Sequence, residues 1–186
     1  MAALLLALPA APGQGGEVQL HTTAELGQLV RPYLPATIPD DAVGRDQARR
    51  RLQQTMTQIL ATEGYFSPVI AILDHDDGCV LRLDGGIRTT IASTTVRIAG
   101  DLAAAERAAL VASWSLPVGQ PFRQAAWSSA KEDLLARLLA ADHPAARLVD
   151  SQADIDPQAQ GAHLLADYDA GPRYRFGPLQ IEGLER

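Results

Sequence analysis

The strongest constraint on this 186-residue chain is a motif that occurs twice. Asp84-Gly85-Gly86-Ile87-Arg88 opens a stretch that closes on Val96-x-Ile98-x-Gly100. Asp169-Ala170-Gly171-Pro172-Arg173 opens another that closes on Leu179-x-Ile181-x-Gly183. Both read Asp-x-Gly-x-Arg, pass through an apolar residue (Ile91, Phe176), and finish apolar-x-apolar-x-Gly. Gly86 and Gly171 lie 85 residues apart, Gly100 and Gly183 lie 83 apart. A motif returning at a domain-sized period implies tandem modules built to one plan. A chain of this length can fill one good core or two small ones, and the repeat selects two.

Composition then removes several function classes. With 5% aromatics there is no stacking platform for single-stranded nucleic acid. A net charge of −6 is the wrong sign for a phosphate-backbone binder. The single cysteine, Cys79, rules out an internal disulfide or a cysteine-rich metal site. In Cys-Val-Leu-Arg-Leu it shares one strand face with Leu81 and Leu83, which reads as a small buried hydrophobe. His21, His75, His143 and His163 are scattered and show no metal spacing. Asp74–Gly78 places its acids and glycine wrongly for a calcium loop. Ser128 and Ser129 have no histidine nearby in sequence, and no nucleophile elbow or phosphate-binding glycine pattern occurs. No enzyme, cofactor, metal or catalytic residue is expected.

Residues 1–16 read as a probable signal peptide. An apolar run, Ala2 to Leu8, precedes small residues and a Gly-rich exit, although no Lys or Arg stands before the run. No apolar stretch reaches the roughly 18 to 20 residues of a membrane-spanning helix.

Periodicity orders the rest. Glu17 to Leu20 predicts a strand, and Ala24 to Leu34 a helix limited by Pro32. Pro35 to Asp41 reads as a linker with turn chemistry. From Arg45 to Glu63 a longer helix carries Ala48, Leu52, Met56, Ile59 and Leu60 in one stripe. Its Arg49-Arg50-Arg51 triplet reads as a solvated face or a docking patch. Gly64 ends that helix as a C-cap. Pro68 to Leu73 and Cys79 to Leu83 form a hairpin through Asp-Gly.

The second module repeats the order: strand Thr94–Ile98, helix Leu102–Ala112 capped by Asp101, and loop Leu116–Pro121. A helix from Phe122 to Ala141 then buries Ala126, Ala130, Leu134, Leu135, Leu138 and Leu139. Strands Arg147–Ile155 and Ala162–Asp169 complete the module. Residues 172–186 read as the start of a third module cut off after its first strand. The expected fold class is therefore α+β: tandem modules over 17–86 and 87–171, each β-α-α-β-β with two helices on a three-stranded sheet.

That order, together with Glu63-Gly64-Tyr65-Phe66 after the long helix and Asp-x-Gly-x-Arg before each new first strand, resembles the POTRA domains. These are periplasmic modules that precede the barrels of BamA-like outer-membrane assembly proteins. Within the group the likeness is greatest to the TamA branch, whose run Tyr-x-x-Gly-x-Arg-Tyr-Arg-Phe-Gly is matched by Tyr168, Gly171 and Arg173 to Gly177. Gly64 to Ile70 fits the family's Gly-Tyr-Tyr-x-Pro pattern, whereas Ala140 to Ala145 departs from it. The resemblance implies a periplasmic region tethered to the outer membrane of a Gram-negative bacterium through its own C-terminal β-barrel. It implies that the region helps to insert or translocate autotransporters and other outer-membrane clients. The implied partners are unfolded outer-membrane protein and autotransporter clients and a TamB-like inner-membrane-anchored protein.

The resemblance also makes the third strand of each module central and the second an edge. Candidate client-binding residues are then Val69, Ile70, Ala71, Ile72 and Leu73 in one module and Arg147, Leu148 and Val149 in the other. Candidate hinge residues are Gly86, Arg88, Gly171 and Arg173. Each arginine either pairs with its own Asp84 or Asp169, or stands exposed and contributes little. A free-standing periplasmic adaptor of a secretion or division complex is the alternative function.

Overall fold

The computed structural model describes residues 16–75, 78–174 and 177. The signal-peptide segment, the Asp76–Asp77 hairpin tip, and Phe176, Leu179, Ile181 and Gly183 of the third module lie outside the described residues. The chain divides into two compact units. Unit 1 runs to Ala61 and resumes over Tyr65–Gly86; unit 2 comprises Thr62–Gly64 and the chain from Ile87 onward. The protein is α+β, with four α-helices and two separate sheets among the described residues.

Unit 1 holds β1 (Gly16–His21), α1 (Ala24–Val30), a 3-10 turn (Arg31–Tyr33), β2 (Thr37–Ile38), α2 (Ala42–Thr62), β3 (Val69–His75) and β4 (Gly78–Asp84). Thr23 starts α1 from an extended conformation, its hydroxyl accepting from the Leu26 N–H as an N-cap should. The strand order is β2-β1-β4-β3, with β1 parallel to β4 and β3 antiparallel to it. Leu26, Val30, Leu52, Met56, Leu60, Leu81 and Leu83 form one buried cluster, so the α2 stripe and the alternate face of β4 meet there. Cys79 is buried as expected. Burial pushes its thiol pKa up, opposed by Arg49 and Arg45. The proton is therefore held and the sulfur is a poor nucleophile.

This sheet has one strand more than expected. Thr37 and Ile38, read as linker between Pro35 and Pro39, pair with Glu17 and Gly16 and bury Ile38. The prolines lie outside the two paired residues, so they cost the ladder no N–H donor.

Unit 2 holds β5 (Thr90–Ala99), α3 (Ala104–Ala112), α4 (Gln124–Ala140), β6 (Arg147–Asp156) and β7 (Gly161–Asp169) in the order β5-β7-β6. Again the first and last strands are parallel and the hairpin partner lies outermost. Alternate β7 residues Ala162, Leu164, Ala166 and Tyr168 are buried, as are Trp127, Ala130, Leu134 and Leu138 of α4. The Tyr168 hydroxyl donates to the Lys131 carbonyl at 3.1 Å. Trp127 meets Trp114 edge to face at 5.9 Å between centroids, with the Lys131 ammonium 4.8 Å from its ring.

Two expectations fail here. Leu139 is 43% exposed and Trp127 occupies the core in its stead. Asp101 does not cap α3, which begins after Ala103 with no side-chain cap bond. The turn at Gly100 absorbs Asp101, whose N–H donates to the Gly171 carbonyl, two residues too early to reach the helix. No described helix is long and apolar enough to cross a membrane.

Candidate functional site

Each unit presents its hairpin strand at the rim of its sheet, and the two rims are built differently. In unit 1, β3 pairs with β4 over seven consecutive residues, Val69↔Asp84 to His75↔Gly78, without a break in register. Its sequence, Val-Ile-Ala-Ile-Leu, is apolar on both faces. Ile70 and Ile72 pack on the core. Val69 (66% exposed) and Leu73 (43%) alternate with them on the other side, with Ala71 between. Asp74 ends the run in ion pairs with Arg49 and Arg45 of α2. This accounts for part of the basic triplet.

In unit 2, β6 pairs with β7, but the register shifts between Leu148 and Asp150. Val149 is the extra residue and is 60% exposed. A bulge twists a rim and interrupts the row of main-chain groups that a new strand would need. The exposed positions that follow are Asp150, Gln152, Asp154 and Asp156. Asp156 is already engaged, its carboxylate accepting from the Gln158 and Ala159 N–H groups at 2.9 Å.

The faces away from the cores differ in the same sense. Unit 2 carries a polar ladder there: Ser93 with His163 at 2.8 Å, Arg97 with Asp167 at 3.7 Å, and Arg147 with Asp169 at 3.1 Å. Unit 1 places Ala71 opposite Arg82 and Leu73 opposite Val80. Its sheet therefore offers a half-apolar surface next to the rim.

The repeated motif forms the same turn at both places. The Asp84 carboxylate accepts from the Gly86 N–H, and that of Asp169 from the Gly171 N–H, each at 2.9 Å. The glycines sit at φ +67° and +65°, a conformation that a Cβ would strain. The arginines do not pair with those aspartates. Arg88 donates from Nε to the Glu63 carbonyl (2.6 Å) and pairs through Nη2 with its carboxylate (2.9 Å). Arg123 joins the same carboxylate at 3.2 Å. Arg173 pairs with Glu106 at 3.5 Å and Asp142 at 3.9 Å. One oxygen of each aspartate serves its own turn, the other oxygen of Asp169 is taken by Arg147, and both motif arginines reach instead to the end of a helix.

Those helix ends are also twins. The Thr89 N–H donates to the Gly64 carbonyl, and the Tyr174 N–H to that of Asp142, each at 2.9 Å. Gly64 stands at φ +91° and Asp142 at +64°. Asp142 thus fills the left-handed place of the missing glycine in Ala140–Ala145. The sequence signal was available: Glu63-Gly64 precedes Arg88 by the 25 residues that bring them together, but the departure at Ala-Asp-His-Pro hid its twin.

No protein-family model matches the chain, and no curated protein matches it. Among solved structures it is similar to the POTRA3-5 crystal structure of Haemophilus influenzae BamA, at 16% identity and a TM-score of 0.46, covering 89% of this chain and 71% of that one. It is also similar to POTRA1-3 of the periplasmic domain of Omp85 from Anabaena, at 14% identity and a TM-score of 0.48, covering 81% and 59%. A third likeness, to CdiB from Escherichia coli, has 12% identity and a TM-score of 0.37, covering 88% and 29%.

Proposed function

We propose that this chain is the periplasmic POTRA region of an outer-membrane assembly protein of the BamA/Omp85 type, in its TamA branch. It receives unfolded outer-membrane proteins and autotransporters by strand addition at β3. Support comes from the β-α-α-β-β plan that both units share and from the identical Asp-x-Gly-x-Arg turns at Gly86 and Gly171. Gly86, Arg88, Gly171 and Arg173 are assigned to fixing the path of the chain as it leaves each last strand. The other partners in this reading are a TamB-like protein anchored in the inner membrane and the protein's own β-barrel, which tethers the region to the outer membrane.

The observation that carries the mechanism is the rim of β3: outermost, unbroken in register and apolar on both faces. An unpaired strand edge offers N–H and C=O groups to any extended chain. Main-chain pairing supplies affinity with little sequence preference. That tolerance suits a protein handling many clients.

A photo-crosslinker at Ile70 should therefore capture a client during its export, while one at Val149 should capture far less. Of the neighbours Ile70 and Ala71, one N–H points at β4 and the other away. Proline at the outward one should abolish the adduct and leave the fold intact. Adducts confined to helix positions such as Arg50 or Lys131 would replace strand addition with groove binding.

A further inference from the structure

Strand order puts β2 at the opposite rim of the unit 1 sheet from β3. Beside it the 3-10 turn, the segment to Pro39 and the first half of α2 enclose a cleft of about 510 Å³. That volume lies within the range of small-ligand sites. Tyr33, Leu34 and Leu52 give it an apolar floor, and Thr37, Gln47, Thr55 and Arg51 supply the polar groups. The lining contains one cation and no acidic side chain. Arg49 is held by Asp74, whereas Arg51 is exposed and forms no ion pair among the described residues. An unanswered guanidinium over an apolar floor selects a carboxylate joined to an apolar group.

The edge decides what carries that carboxylate. Thr37 belongs to β2, which is outermost among the described residues, so main-chain groups border the cleft. In an extended chain residues two apart point to one side. One peptide can thus pair along β2, set an apolar side chain on Leu52 and bring an acidic one to Arg51. We infer that this cleft binds an extended peptide segment with an apolar and an acidic residue two positions apart. The site is separate from β3 and gives Arg51 of the basic triplet a role that the client edge does not use.

The probe is a fluorescein-labelled, end-blocked pentapeptide, Thr-Leu-Thr-Glu-Thr, titrated into the whole chain and read by anisotropy. Changing its Glu to Gln should weaken binding about fivefold, near the most that an exposed ion pair supplies. Arg51→Gln should erase that difference, while Arg50→Gln should preserve it. Leu73→Lys on β3 should leave the difference between the Glu and Gln peptides unchanged. Equal binding of the Glu and Gln peptides, or an Arg51→Gln variant that still distinguishes them, would overturn the inference. So would loss of that Glu/Gln difference in Leu73→Lys, which places recognition of the acidic residue on β3. Displacement by sodium decanoate at the peptide's own concentration would assign the cleft to a free amphiphile and likewise overturn it. Client crosslinking at Ile70 is a separate readout, so either site can fail alone.

Discussion

The two outer hairpin strands occupy the same place in the same plan, yet one pairs in unbroken register and the other is bulged. β3 runs seven residues in register, the first five of them apolar on both faces. β6 carries a bulge at Val149 and acids at alternate exposed positions beyond it. A flat apolar rim is a liability in a free-standing domain, and bulges and inward or rim charges are how natural sheets remove it. Unit 2 shows that this chain has those means. In unit 1, β3 has no bulge, and its one acid, Asp74, is paired with Arg49 and Arg45 of α2. The contrast extends to the cores, where Tyr168 of unit 2 stands at the motif position that Leu83 holds in unit 1, and to the helix ends, where Asp142 stands for Gly64.

The largest effect should come from the helix end that uses glycine. A Cβ on Gly64 would lie 2.4 Å from the Phe122 carbonyl oxygen, with φ at +91°. Gly64→Ala combines a left-handed penalty with an overlap that backbone must relieve, together about 2–4 kcal/mol. Chemical denaturation measures it directly. A loss below about 1 kcal/mol would mean the two helix ends are interchangeable.

The core substitution predicts an alkaline weakness in unit 2. Burial pushes the Tyr168 pKa from 10 up to about 12. The folded state favours the neutral phenol, so the unfolded chain ionises first as pH rises. The contribution is complete below pH 10 and is lost between 10 and 12, by about 2–3 kcal/mol. Tyr168→Phe should forfeit about 1 kcal/mol at neutral pH with the Lys131 hydrogen bond. It should then decline less than the parent above pH 10. Parallel slopes for the two proteins would place the alkaline loss elsewhere.

The rims themselves should separate binding from stability. Leu73 is 43% exposed, so Leu73→Lys should change stability by no more than about 0.5 kcal/mol. It should nevertheless reduce client adducts at Ile70, because a charge on a rim opposes pairing. Deleting Val149 should do the reverse for β6, restoring its register and raising self-association in light scattering. Unchanged adducts in Leu73→Lys would remove the distinction between the two edges.

Much of this was legible in the sequence because it depends on period. The stripe Leu52, Met56, Leu60 and the alternation Cys79, Leu81, Leu83 each specify a buried face without reference to anything distant. What stayed hidden depends on phase or on partners. In α4 the adjacent pairs Leu134-Leu135 and Leu138-Leu139 admit two phases, and only the packing of Trp127 selects the one that leaves Leu139 outside. Arg88 had a local acid in Asp84, but the turn uses that carboxylate for the Gly86 N–H, and the real partner lies 25 residues upstream. The bulge at Val149 leaves no trace in composition, since it is a matter of how β6 meets β7.

The smallest effect, and the most discriminating in sign, belongs to Asp142. It holds φ +64°, where an L residue costs about 1–2 kcal/mol and glycine costs nothing sterically. Asp142→Gly removes that strain but frees the unfolded chain, which returns up to about 1 kcal/mol. It also removes a carboxylate 3.9 Å from Arg173, an exposed pair worth little. The terms nearly cancel and leave a gain of about 0.5 kcal/mol. Asp142→Ala keeps the strain and loses the ion pair, so it should fall slightly below the parent. If glycine gains and alanine loses, residue 142 does for α4 what Gly64 does for α2, with aspartate tolerated because its short polar side chain accepts the left-handed turn. If both lose equally, the carboxylate matters more than the backbone, and the two helix ends are stabilised by different means despite their common geometry.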